Sequence, residues 1–144
     1  MAVALYLQYV EYLDPCPLCI LQRLAVIVIG VIALLAALHN PRQTGQRIYG
    51  LLLCLVSAVG AAIAGWHVYL QHLPPDEVPE CGPGLEFMLR RFPLDEVLAK
   101  VFTGSGECAE ILWQFLGLSI PAWTLVAFVF LEFLGIYIIG RRNG

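Results

Sequence analysis

Two cysteines stand two residues apart in Cys16-Pro17-Leu18-Cys19, at the threshold of a long apolar run. A pair with this spacing suits metal ligation, haem attachment or thiol–disulfide exchange. Haem attachment needs a histidine directly after the second cysteine, where this chain has Ile20. Tetrahedral zinc would want a second closely spaced pair, which the other cysteines do not supply. The motif therefore favours redox chemistry, and no metal ligand is predicted.

The charges around Cys19 act in both directions. Cys19 opens a predicted helix whose N-terminal amides favour a thiolate, and Arg23 lies one turn further along the same face. Asp14 and Glu11 oppose this effect. Arg23 itself either extends its side chain to the membrane surface or holds the polar head of a ligand beside the Cys19 sulfur.

Polar residues in the later apolar runs are less specific. His67 and Gln71 lie one helical turn apart, and they either border the same ligand pocket or serve as packing residues. Cys54 lies deep in an apolar run, where a free cysteine is usually a small buried hydrophobe. Glu132 falls within the last apolar run and is assigned no role.

The composition, 60% hydrophobic and 13% charged over 144 residues, predicts an integral membrane protein. We predict a single all-α domain over 1–144, a four-helix transmembrane bundle whose first span is incomplete because a span needs about 20 apolar residues. The predicted segments are a partial first span at 1–13, full spans at 20–38, 48–70 and 120–139, and a polar loop at 74–110. A signal peptide at 1–13 is disfavoured because no basic region precedes it and no small-residue cleavage site follows it.

The loop at 74–110 carries two further cysteines. Cys81 follows a run rich in proline and glycine, which predicts a loose arm. Cys81 and Cys108 form either a static structural disulfide or an exchangeable one. A short amphipathic helix on the bilayer is predicted from apolar residues at helical spacing, namely Leu94, Val97, Leu98, Val101 and Phe102.

The charge pattern predicts the orientation in the membrane. Arginines without acids mark two cytoplasmic segments, which contain Arg42, Arg47, Arg141 and Arg142. The loop at 74–110 is acidic and belongs outside, and the number of crossings places Cys16 and Cys19 on the same outer face. Charge and cysteine placement thus point to one oxidising side. No nucleic-acid partner is expected.

Four sequence features together resemble the DsbB family of disulfide bond formation proteins. They are Cys16-Pro17-Leu18-Cys19-Ile20-Leu21-Gln22-Arg23, the pair His67 and Gln71, the loop pair Cys81 and Cys108, and the segments SGECAE at 105–110 and WQFLGL at 113–118. The resemblance covers nearly the whole chain. It departs from the family at the amino terminus, where the family has a complete first span.

The resemblance implies a quinone-dependent, disulfide-generating oxidoreductase of the bacterial inner membrane, with its cysteines on the periplasmic side. Cys81 resembles the cysteine that forms a mixed disulfide with a periplasmic, thioredoxin-fold oxidase of the DsbA type, and Cys108 resembles its pair. Cys16 resembles the cysteine that exchanges with Cys108, and Cys19 the one that meets the quinone, either ubiquinone or menaquinone. Arg23 matches the quinone-site arginine. His67, and with it Gln71, is expected near the quinone ring.

Two other interpretations stay open at this point. In the first, the chain is a small membrane scaffold or binding protein whose cysteine pairs are permanent disulfides. In the second, it is a specialised DsbB relative that serves a dedicated partner, chosen by the surface of the loop at 74–110.

Overall fold

The computed structural model describes residues 2–12, 16–80, 85–111 and 113–141. Over these residues the chain forms seven helices and one small hairpin. The helices are α1 (Ala2–Tyr9), α2 (Pro17–His39), α3 (Gln43–Gln71), α4 (Leu85–Arg91), α5 (Leu94–Thr103), α6 (Gly106–Ala109) and α7 (Ile120–Gly140), and the strands are β1 (Gln114–Phe115) and β2 (Leu118–Ser119).

Among the described residues, three helices are long and apolar enough to cross a membrane: α2, α3 and α7, with 23, 29 and 21 residues. At 1.5 Å per residue even the shortest spans about 32 Å, which matches the hydrocarbon thickness of a bilayer. The predicted all-α membrane fold is thereby confirmed. Helix α1 covers eight residues, about 12 Å, and is too short to cross.

Helices α3 and α7 run antiparallel and approach closely because glycines face large side chains. A Cβ on Gly60 would lie 2.5 Å from the Phe128 ring, and a Cβ on Gly135 would lie 2.6 Å from the Cys54 sulfur. At one end of the pair Ser119 hydrogen-bonds to Gln71. We call this the cysteine end, because Cys16 and Cys108 pack on Leu70 here.

The opposite end of the bundle carries basic residues. Arg42 precedes the first turn of α3, and Arg141 follows the last turn of α7. His39, at the end of α2, lies beside Tyr49 of α3 with its Nδ1 3.1 Å from the Tyr49 hydroxyl. Arg42 and Arg141 therefore lie at the opposite end of the bundle from Cys16 and Cys108.

Helix α2 begins earlier than the apolar run predicts. Cys16 is the N-cap residue with extended backbone angles, and Pro17 occupies the first helical position, where its missing N–H leaves no donor unpaired. The sequence interpretation placed Cys19 at the start of this helix. Both cysteines instead belong to the N-terminal turn.

The loop helices pack on the cysteine end of α2. Val97 and Val101 of α5 are buried with Met88 of α4, and Leu21 of α2 packs against them. The remaining apolar residues on α5 are exposed: Leu94, Leu98 and Phe102. The amphipathic helix is confirmed, and its apolar residues divide between an inner face on the protein and an outer face.

Two turns set the course of the chain around Cys108. Gly104 has φ 82°, and a Cβ there would lie 2.4 Å from a Leu70 methyl carbon, so only glycine fits this turn. After Cys108, β1 and β2 pair as an antiparallel hairpin whose central residues, Leu116 and Gly117, both have positive φ. The Trp123 indole N–H donates to the Phe115 carbonyl at 3.0 Å and ties the hairpin to α7. This hairpin was not predicted from the sequence.

Candidate functional site

The first turn of α2 brings Cys16 and Cys19 together. Their sulfur atoms are 3.0 Å apart. The Cys16 sulfur also accepts a hydrogen bond from the Cys19 backbone N–H at 3.4 Å, the role that a serine or aspartate oxygen plays in ordinary helix caps. Both sulfurs therefore lie at the positive end of a helix dipole, where negative charge is stabilised.

Cys108 reaches the same place from the loop. Its side chain is fully buried and hydrogen-bonds to Cys16. Leu18 and Leu70 pack around the two residues, so the contact is enclosed by apolar side chains. Cys16 thus has the Cys19 sulfur on one side and Cys108 on the other. We refer to these three cysteines and His67 as the thiol cluster.

The described cysteines are free thiols. The thiol of Cys108 lies in an unusual electrostatic environment. The pKa of Cys108 is raised far above that of an ordinary thiol, chiefly because its side chain hydrogen-bonds to Cys16, and further because it is buried and because it faces charge on Cys16. In the fully reduced cluster Cys108 is therefore held as a neutral thiol.

His67 of α3 is the fourth member of the cluster and is almost completely buried. Its Nε2 lies 3.1 Å from the Cys108 carbonyl oxygen and 3.7 Å from the Cys16 sulfur, while its Nδ1 lies 3.2 Å from Nε2 of Gln22. The carbonyl can only accept, so Nε2 carries the proton and donates. Nδ1 then accepts from the Gln22 amide, an assignment that follows from the hydrogen-bond network.

Arg23 lies on α2 one turn beyond Cys19, close enough to interact electrostatically with its sulfur. Its Nη1 donates to the Gln8 side-chain oxygen on α1. Among the three cysteines of the thiol cluster, Cys16 and Cys108 are buried and Cys19 is partly exposed. The partly exposed thiol of Cys19 therefore lies near the guanidinium donors of Arg23, which contacts α1.

The remaining predicted site residues lie apart from the cluster or outside the described chain. The Gln71 side-chain oxygen accepts from the Ser119 hydroxyl at 2.7 Å and so joins α3 to the start of α7. Cys81 lies outside the described residues. Cys54 is buried against α7, with its sulfur 3.8 Å from the Glu132 carbonyl oxygen.

Sequence reasoning gave no role to Gln22, which is buried and supports His67. Its one sequence signal was a polar side chain inside an otherwise apolar span, where a buried polar group must find a partner. The partner belongs to another helix, 45 residues further along the chain, so local patterning could not identify it.

An apolar groove of about 700 Å³ runs between α2 and α3, with Leu18, Trp66 and Phe102 among its lining residues. Helical periodicity places its α2 residues on the face opposite Arg23 and away from Cys19. The lining of the groove is almost entirely apolar, so it offers space for a lipid chain.

Comparison with known proteins adds an independent finding. The family model described as "Disulfide bond formation protein DsbB" matches residues 1–138. A protein of Nitrosococcus oceani named "Disulfide bond formation protein B" is 58% identical over 144 residues, which is 100% of this chain and 85% of that protein. A protein of the same name from Hahella chejuensis is 57% identical over 90% of this chain and 78% of its own length. Another from Marinobacter nauticus is 50% identical over 99% of this chain and 84% of its own length. With its membrane helices and its clustered cysteines, the chain belongs to the DsbB family.

Proposed function

We propose that this chain is a thiol oxidoreductase of the bacterial inner membrane that reoxidises a periplasmic DsbA-type dithiol oxidase and passes the electrons to a membrane quinone. One observation carries the proposal: the Cys16 sulfur lies 3.0 Å from that of Cys19 and is hydrogen-bonded to Cys108. Cys19, Cys16 and Cys108 therefore form a series of neighbouring thiols along which disulfides can move by successive thiolate attack.

The first step takes place at the loop disulfide that Cys81 and Cys108 are proposed to form. A partner thiolate attacks the Cys81 sulfur, and the S–S bond to Cys108 breaks. The partner's second thiolate then attacks the partner sulfur that is bonded to Cys81. This step releases the oxidised partner and leaves Cys81 and Cys108 reduced. Two electrons have passed from the partner to the loop.

The second step moves the disulfide inside the cluster. The Cys108 sulfur attacks Cys16 of a Cys16–Cys19 disulfide, and Cys19 leaves as a thiolate at the N-terminus of α2, where the helix dipole stabilises it. Cys81 then attacks Cys108, which restores the loop disulfide and leaves Cys16 and Cys19 reduced. Burial and the reduced Cys16 raise the pKa of Cys108. In a Cys16–Cys19 disulfide Cys16 carries neither a thiol proton nor a charge, so its contribution to the raised pKa of Cys108 is absent when Cys108 must attack, and burial alone still raises that pKa.

The residues beside Cys19 fit a quinone acceptor. Such a group, when bound, takes up two electrons and two protons as the Cys16–Cys19 disulfide forms again. Cys19 is the accessible thiol of the three, and the guanidinium of Arg23 can donate hydrogen bonds to a carbonyl oxygen in front of it. A DsbA-type oxidase has a potential of about −120 mV, so only a strongly oxidising acceptor can receive its electrons. Whether the quinone is ubiquinone or menaquinone depends on the membrane in which the protein works.

The proposal assigns His67 to the sulfur relay, because its Nε2–H holds the Cys108 carbonyl and lies beside the Cys16 sulfur. From there it can donate to negative charge that develops on Cys16 during exchange. Gln71 fixes the start of α7 through Ser119. A place for these two side chains beside the quinone ring stays a prediction. The alternative of a scaffold with permanent disulfides is not favoured, since the relatives are named for disulfide formation.

The test uses the whole chain in lipid nanodiscs with a quinone and a reduced DsbA-type protein. We expect the wild type to oxidise the partner while the quinone is reduced in equal amount. Cys16→Ser and Cys19→Ser should abolish turnover, and Cys54→Ser, which removes a buried cysteine outside the cluster, should leave it unchanged. A wild type that fails to oxidise the partner, or a Cys16→Ser variant that retains turnover, would refute the proposal.

A further inference from the structure

We propose that the reduced chain binds Zn²⁺ through the sulfurs of Cys16 and Cys19 and the Nε2 of His67, and that the bound ion holds the dithiol in its reduced form. The ligand atoms of these three residues all lie within 4.8 Å of one another. Thiolate sulfur and imidazole nitrogen are the donors that zinc prefers in proteins.

The distances from the Cys16 sulfur to the other two donors require little movement. With Zn–S bonds of about 2.3 Å and a Zn–N bond of about 2.0 Å, tetrahedral angles place two sulfurs about 3.8 Å apart and a sulfur and a nitrogen about 3.5 Å apart. The Cys16 sulfur is 3.0 Å from the Cys19 sulfur and 3.7 Å from His67 Nε2. The two sulfurs therefore need to separate by less than roughly 1 Å, which a change of side-chain rotamer at the half-buried Cys19 can provide.

Gln22 lets His67 act as a ligand. Zinc binds the lone pair of an unprotonated nitrogen, so the imidazole proton must move from Nε2 to Nδ1. The Gln22 amide, which donates to Nδ1 in the reduced cluster, can rotate and present its oxygen as an acceptor. Zinc-bound histidines usually donate their other ring N–H to such a partner, which fixes the ring and its tautomer.

The charges balance at this buried site. Two thiols each lose one proton to solvent, and two thiolates neutralise one Zn²⁺, so the complex is neutral and no electron is transferred. The sulfur of Cys108, hydrogen-bonded to Cys16, stands beside the three donors. With both sulfurs bound to zinc, neither is available for disulfide formation, and the ion would inhibit reoxidation.

This site could not be recognised from sequence spacing. The chain has one Cys-x-x-Cys pair and lacks a second close pair, which argued against zinc. The third donor instead comes from α3, and it meets α2 through tertiary packing alone. The proposal needs only reduced thiols and does not depend on electron transfer.

The test uses the full-length reduced protein in detergent, without quinone or partner, and Co²⁺ as a spectroscopic probe. We expect the visible bands of tetrahedral cobalt, a thiolate-to-cobalt charge-transfer band, and loss of both on addition of Zn²⁺. His67→Ala and Cys19→Ser should weaken Zn²⁺ binding at least about tenfold, since each removes a donor. Cys54→Ser and His39→Ala are matched controls away from the cluster and should bind as the wild type does.

A second measurement covers the case in which a ligand variant fails to fold. In the wild type, Zn²⁺ should protect Cys16 and Cys19 from alkylation, as mapped by mass spectrometry, and leave the labelling of Cys54 unchanged. Octahedral cobalt without a charge-transfer band, or equal labelling with and without Zn²⁺, would overturn the proposal. Since neither measurement contains a quinone, failure here leaves the proposed electron transfer untouched, and failure of turnover leaves this site untouched.

Discussion

Gln22 of α2 hydrogen-bonds to Nδ1 of His67 on α3 at 3.2 Å, and both side chains are buried. By donating to Nδ1, the amide supports the tautomer that the Cys108 carbonyl requires, with the proton on Nε2. That nitrogen, Nε2, holds the Cys108 carbonyl and lies beside the Cys16 sulfur. One residue without a reactive group thus supports the histidine that contacts both Cys16 and Cys108, the two cysteines of the proposed exchange.

Replacement of this amide should slow thiol exchange. In Gln22→Ala, Nδ1 has lost its donor and the imidazole can adopt the other tautomer, which withdraws the hydrogen bond from the Cys108 carbonyl. A buried hydrogen bond contributes about 1 kcal/mol, so we expect turnover with a reduced partner to fall by roughly five- to tenfold. Gln43→Ala, at the exposed start of α3, is the matched control. Equal rates for the two variants would show that Gln22 does not position the cluster.

The reactivity of Cys108 should depend on its neighbour. Because Cys16 and burial raise the pKa of Cys108, its thiolate forms only at strongly alkaline pH in the reduced, metal-free protein. In Cys16→Ala the hydrogen bond and the facing charge are absent, so the midpoint of its alkylation should move to lower pH. It should stay above the ordinary thiol value of about 8.5, since burial remains.

The measurement is the pH profile of iodoacetamide labelling at Cys108, read by peptide mass spectrometry with a chelator present. The midpoint is used instead of the rate because removal of the Cys16 side chain also opens access to Cys108. Cys54→Ala should leave the midpoint where it is in the wild type. An unchanged midpoint in Cys16→Ala would contradict the expected contact between the two thiols.

The close contact of α3 and α7 should be sensitive to a single methyl group. Gly60→Ala would place a Cβ 2.5 Å from the Phe128 ring, and overpacking of this kind destabilises proteins by about 1–3 kcal/mol. We expect a lower thermal midpoint in detergent, followed by circular dichroism. Gly65→Ala on the same helix meets nothing within 4 Å and should have no such effect. Phe128→Leu should partly restore the Gly60→Ala variant, and a failure to do so would locate the strain elsewhere.

Substitution of Arg23 should change the KM for quinone and leave the KM for the reduced partner unchanged. Arg23→Lys keeps the charge but loses the planar set of donors, so the KM for quinone should rise by about tenfold, with a smaller change in kcat. The KM for the reduced partner should be unchanged. Arg42→Lys, at the opposite end of the bundle, should behave as the wild type. If both Michaelis constants rise together, Arg23 supports the fold and does not contact the acceptor.

The sequence predicted the features that depend on local patterning. Apolar run length identified the spanning helices, and helical spacing identified the amphipathic helix at α5, because both follow from which residues must leave water. The chain motif also indicated redox chemistry at Cys16 and Cys19. What local patterning could not supply were the contacts between distant segments, such as Gln22 with His67 and Gln71 with Ser119, since these depend on how the helices pack. The turn at Leu116 and Gly117 was also missed, since it requires a positive φ at a leucine, a residue type that does not favour that conformation.

The helix cap at Cys16 makes the contact between Cys16 and Cys19 more resistant to unfolding than the contact between Cys16 and Cys108. The sulfurs of Cys16 and Cys19 are held by one turn of one helix, with Pro17 locking its start, so their spacing survives as long as that turn is folded. The place of Cys108 in the cluster depends instead on contacts between distant segments, namely with Leu70 and His67 of α3. Mild thermal or chemical stress should therefore disconnect the loop first. In the proposed relay, Cys16 and Cys19 would then still exchange electrons with the quinone after exchange with Cys108 had stopped.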